Sequence, residues 1–184
     1  MFATDDHLQL KPPCRYSNRH FPPYRYLPGI NAHPVRDPSG HAFGRVETKL
    51  SFISPENWQG NPEYLYGVDL YNHGYWWEAH EAWESVWHTT DKDGDYGQCL
   101  QGLIQIAAAF IKWHLKQPDG LMRLYAIGRG RLESVAAQNK VFLGFEVSDF
   151  LERLSTHFAP VLTAQTVWPD PLENYPFLVL QKIT

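Results

Sequence analysis

The sequence predicts an all-α bundle of about five helices, with an extended, proline- and histidine-rich N-terminal arm. Three observations predict it. Nine of the 14 prolines lie at or before Pro62, and only Pro118 falls between Glu63 and Ala159. Proline lacks a backbone donor and breaks helix interiors, so long helices belong to that middle stretch. There the apolar residues recur at helical spacing, and the alternation of a half-buried strand is nearly absent.

The elements follow in order. Pro62 opens a first helix through Leu65, Val68 and Leu70, with Asn72-His73-Gly74 as its glycine-type end. A second helix is expected from about Tyr75 to His88. A third runs from about Tyr96 to Lys116, preceded by the cap-forming cluster Asp91, Asp93 and Asp95. It is apolar almost all round, which suits the centre of a bundle. A fourth spans Pro118 to about Lys140, with Leu121, Leu124, Gly128, Leu132 and Val135 in helical register, and a fifth spans about Glu146 to Phe158. Residues 1–61 are then an arm packed on the core, 62–160 the helical domain and 161–184 an extended C-terminal tail.

Composition narrows the function. The 184 residues are 43% hydrophobic and 20% charged, enough for one core and too apolar for wholesale disorder. A net charge of −4 disfavours nucleic acid as a partner. Residues 1–60 carry seven Lys/Arg against five Asp/Glu, a mildly basic arm beside an acidic remainder. Two cysteines make no disulfide framework and no zinc knuckle. The start lacks the apolar region of a secretory signal, and no run approaches the ~18 apolar residues of a membrane span. A soluble, cytoplasmic protein without membrane partners is expected. P-loop, GxGxxG and GxSxG patterns are absent, so no nucleotide cofactor is expected.

The second helix holds the main chemical signal, Trp76-Trp-Glu-Ala-His80-Glu-Ala-Trp-Glu84-Ser-Val-Trp87. At about 100° per residue, Trp76, Ala79, Trp83, Val86 and Trp87 share an arc, with His80 inside its edge and Glu84 on its shoulder. His80 and Glu84 sit one turn apart and can meet. Such a pair has three readings: a buried structural hydrogen bond, two ligands of a divalent metal, or an imidazole oriented as a general base. His80 and Glu84 are thus candidate metal ligands, and His80, Glu81 and Glu84 candidate catalytic residues. One helix leaves the metal set short of the three protein ligands usual for catalytic zinc. His33 and His41, in the turn-rich arm segment that also holds Asp37, are the candidates to complete it if the arm folds back. Gln101 and Gln105 form a polar stripe on the third helix, either a solvated seam or, through Gln105, a hydrogen-bond partner for His80. Trp76 and Trp87 read first as core and second as an aromatic wall for a ligand. His114 is expected to be a core histidine. The Asp91–Asp95 cluster is not a calcium loop, because its twelfth position is Gly102 rather than Glu.

These residues carry a resemblance. The stretch from Asp69 to Trp87, with its Glu78-Ala-His-Glu-Ala-Trp-Glu84 core, followed by Gln101-Gly-Leu-Ile-Gln-Ile-Ala-Ala-Ala109, resembles domain-of-unknown-function family 309 over roughly Tyr64 to Leu132. Glu78, His80, Glu81, Glu84, Trp87, Gln101 and Gln105 match its pattern by position. Trp83 stands where an aliphatic residue is expected, and Asn72-His73 departs from the usual loop. The resemblance implies a small all-helical protein of bacterial type, described at most as metal-dependent-hydrolase-like. Two function classes follow. One is a metal-dependent hydrolase with a divalent ion, zinc first, at His80 and Glu84. The other is a metal-free helical scaffold for a small-molecule ligand, a protein partner or a second copy of itself, with His80 and Glu84 as a structural pair.

Overall fold

The computed structural model describes residues 12–46, 49–163 and 168–181. Five α-helices carry the core: α1 Pro62–Asn72, α2 Trp76–Trp87, α3 Asp95–His114, α4 Pro118–Ala136 and α5 Val147–Leu162. A 3-10 turn, Pro55–Gly60, leads into α1, and a hairpin of two-residue strands, β1 Val141–Phe142 and β2 Phe145–Glu146, joins α4 to α5. The molecule is a helical bundle, as the proline gap and periodicity predict. The hairpin takes the segment after Ala136, so α4 ends short of Lys140. Its two-residue turn holds Leu143 at φ 47° and Gly144 at φ 83°, the left-handed pair that suits a tight hairpin.

Local chemistry sets the boundaries. The Asn61 side chain accepts from the Tyr64 amide at 3.1 Å, and Pro62 occupies the first turn of α1, where its missing N–H costs nothing. Gly74, at φ 76°, makes the reversal into α2. α3 lies between α2 and α4, antiparallel to both. At the crossing with α4 a Cβ on Gly102 would stand 2.8 Å from Leu132, and one on Gly128 would stand 3.0 Å from Gln105. The two backbones pack as closely as only glycine permits.

The core is aromatic. Trp76 stacks on Phe110 at 5.4 Å between ring centroids, and Tyr71, Trp113, Phe150, Phe158 and Tyr175 complete the cluster. Trp83 is fully buried and its indole N–H donates to the Tyr64 carbonyl at 3.3 Å. Gly67 makes room for that ring, since a Cβ there would lie 2.3 Å from Trp83 Nε1.

The C-terminal segment is extended, yet Leu172, Tyr175, Leu178 and Leu180 are buried. The Asn72 side chain brackets Leu178, donating to its carbonyl at 2.9 Å and accepting from its amide at 2.8 Å. That bracket gives a physical role to one of the two loop residues that depart from the family pattern. No described helix is long and apolar enough to cross a membrane.

Candidate functional site

Two buried carboxylates fasten the arm. Asp69 on α1 accepts from the Tyr16 and Ser17 amides at 2.8 and 2.9 Å and from the Ser17 hydroxyl at 2.6 Å, with Arg15 Nε at 3.5 Å. Glu78 on α2 accepts from the Tyr26 amide at 2.8 Å and faces His41 Nε2 at 3.1 Å; both side chains are only 5% exposed. Burial pushes the Glu78 carboxyl up to about 7 despite the Tyr26 bond, and burial, reinforced by Arg45, lowers His41. Sequence reasoning missed both roles. A helical wheel puts Glu78 outside the apolar arc of α2, and only the returning arm makes that flank an interior.

The arm therefore does fold back on α2, but onto its Glu78 flank. His33 packs edge-on against Trp77 at 5.7 Å, and its Nδ1 accepts from the Val35 and Arg36 amides. His41 is taken by Glu78. The expected sharing of a site between either histidine and His80 is corrected accordingly, because a carboxylate buried one half-turn away captures His41 first. Asp37 is exposed and closes a local turn through the amide and hydroxyl of Ser39. Trp76 is core, its indole N–H donating to the Tyr175 hydroxyl at 2.9 Å. His114 is exposed rather than core.

The other flank of α2 carries the expected cluster. Among the described residues, His80, Glu81 and Glu84 form the group able to hold a metal ion, each offering one ligand atom, all within 4.8 Å of one another. His80 Nδ1 lies 3.2 Å from Glu81 Oε1, and Nε2 lies 3.8 Å from Glu84 Oε2. His80 was expected to be buried; instead its side chain is 27% exposed. The buried arc of α2 runs through Trp76, Ala79, Ala82, Trp83 and Val86, which leaves His80 on the margin. Burial alone would lower its pKa, but the hydrogen bond and charge of Glu81 and the charge of Glu84 raise it overall.

Polar atoms without partners adjoin this flank. Trp87, two turns on from His80, has a buried indole N–H with no partner, and Gln105 on α3 has a buried side-chain oxygen with none. The Trp76–Phe110 stack fixes the antiparallel register of α2 and α3, which sets His80 level with Gln105, and Glu84 level with Gln101. Gln101 and Gln105 are both half-buried. The expected Gln105–His80 hydrogen bond is not formed. The two helices instead make a polar shelf of His80, Glu84 and Trp87 beside Gln101 and Gln105.

Residues 64–124 match the model of a family described as a domain of unknown function, DUF309. That segment holds α1 to α3 and the start of α4, and with them both carboxylate sockets and the whole shelf. No curated protein and no solved structure matches the chain.

Proposed function

From the premise that residues 64–124 are a DUF309 domain, a family that lends no reaction, we propose that His80, Glu81 and Glu84 bind a divalent metal ion and that the site is hydrolytic. One observation carries the reading: three ligand atoms within 4.8 Å on a half-exposed helix flank. Three protein ligands with the fourth position open is the pattern of catalytic rather than structural zinc. A zinc ion there would lower the pKa of a bound water and supply a nucleophile near neutral pH. His80 would bind through one ring nitrogen, and the two carboxylates would balance the ion's charge.

The raised pKa of His80 favours a second reading, in which the imidazolium is held by the two carboxylates without metal. The two make opposite predictions. Metal requires neutral His80, so zinc affinity should fall as the pH drops through the raised pKa. Calorimetric titration of the metal-stripped protein should give one zinc per chain, and His80→Gln should weaken it by roughly 10-fold or more. Failure of zinc to bind stoichiometrically would refute the metal reading and leave the charged staple.

A further inference from the structure

We propose that the ligand of this site carries an anionic oxygen group, a phosphate or a carboxylate, gripped by Arg131, Lys92 and the indole N–H of Trp87. The proposal deepens the metal reading by naming a substrate class, but its donors do not depend on the metal. They are linked through the loop after α2 and the start of α3. Lys92, in the loop after α2, stands with its ammonium 3.4 Å above the Trp87 ring. Gln98, in the first turns of α3, donates to the Lys92 carbonyl at 2.9 Å, and its side-chain oxygen accepts from Arg131 at 2.5 Å. One glutamine thus ties the Trp87–Lys92 pair to the guanidinium on α4.

The Lys92 ammonium also reaches the Trp87 carbonyl at 3.5 Å, but two N–H groups here lack an acceptor. Arg131 Nε and Trp87 Nε1 are both buried N–H donors with no partner. A buried donor left unpaired is costly, and native structures rarely tolerate two without reason. Gln98 holds Arg131 through one terminal nitrogen and leaves the Nε side of the fork, the side that recognises carboxylate and phosphate. Neighbouring acids are engaged elsewhere: Glu133 with Arg129 at 2.8 Å, and Asp95 with Asn139 at 2.8 Å. Lys92 stands between the exposed Asp91 and Asp93, so what singles out this place is its unpaired N–H donors rather than its net charge.

Glu84 lies on the same face as Trp87, three residues before it, so the carboxylate cluster by itself repels an incoming anion. A divalent ion on His80, Glu81 and Glu84 cancels that repulsion. Anion affinity should therefore rise when zinc is bound, and an anionic group held at Arg131 would direct the rest of the ligand along the shelf toward the metal.

The test uses methyl phosphate and acetate as separate probes, followed by the indole N–H resonance of Trp87 in the full chain, without zinc and with it. The resonance is assigned by its loss in Trp87→Phe. Saturable shifts are expected, stronger with zinc, and the tighter probe identifies the group. Arg131→Gln should weaken binding roughly tenfold or more, as loss of a charge-assisted bond does. Lys92→Met, at an exposed position, should weaken it roughly threefold. Absence of a shift with either probe in both zinc states would overturn the proposal, as would unchanged affinity in both variants. The metal reading fails separately: a zinc-independent shift in a protein that binds no zinc removes the metal and keeps the anion site.

Discussion

Replacing Glu78 by glutamine should abolish the pH dependence that this residue imposes on stability. Glu78 is buried against Tyr26 and His41, and its carboxyl midpoint lies at about 7 rather than the ordinary 4.5. Between those values the folded chain keeps a proton that the unfolded chain has released. Unfolding then releases a proton, so this group's contribution falls as pH rises through that window. The displacement corresponds to about 3 kcal/mol at ~1.36 kcal/mol per pH unit. Glutamine preserves the oxygen that accepts from the Tyr26 amide and cannot ionise. Its new amide adds a constant cost for a buried donor, about 1–3 kcal/mol if unpaired, which shifts the whole curve without tilting it. His41 is lowered in the folded state and acts in the opposite sense, destabilising toward acid, but it does so in both proteins. The quantity to follow is therefore the difference in urea-unfolding free energy between wild type and Glu78→Gln. It should move by about 3 kcal/mol in favour of the variant from ~pH 4 to ~pH 8. A difference that stays flat across that range would refute the burial argument.

Three further outcomes are expected. Asp69→Ala removes the acceptor of three arm hydrogen bonds; it should cost about 3 kcal/mol or more and make the segment before α1 the first site of limited proteolysis. Gly67→Ala drives a Cβ into the buried Trp83 ring and should cost about 3 kcal/mol, most of it recovered in a Trp83→Leu background, read as coupling in a double-mutant cycle. Gly102→Ala pushes α3 off α4 against Leu132 and the Gly128 carbonyl; it should cost about 1–3 kcal/mol and broaden the resonances of Gln105, which a purely local effect would leave sharp.

The helices were legible because each obeys a rule that spans a few residues. Prolines excluded from the middle, apolar spacing, and the helix signals at Pro62 and Gly74 are all local, and local rules survive without knowledge of the partner surface. His80 and Glu84 were legible for the same reason, since four residues on a helix is a fixed geometry. Glu81 entered the cluster because a side chain one residue from His80 can reach round the margin of the helix, which a wheel drawn for faces does not show. Contacts between distant segments were not legible. Nothing in the spacing of His41 says that it will choose Glu78, 37 residues away, over His80. The tail reads as extended and proline-broken, and its burial depends on distant partners such as Asn72, which supplies both halves of an amide pair to Leu178.

That division explains how α2 can serve two purposes with one motif. Its buried arc leaves an acidic residue on either side: Glu78 on one flank, Glu81 and Glu84 on the other. The arm has backbone donors and His41 to offer, and it closes over Glu78, whose Oε1 takes the Tyr26 amide and faces His41 while Oε2 is left buried without a partner. The opposite flank holds two carboxylates around one imidazole, which Tyr26 and His41 could not satisfy and which needs a full positive charge. A proton on His80 supplies one such charge and a divalent ion supplies two. The flank that the arm leaves open is therefore the one that the proposed metal and anion would serve, and the unpaired N–H groups of Trp87 and Arg131 are the donors that the proposal uses.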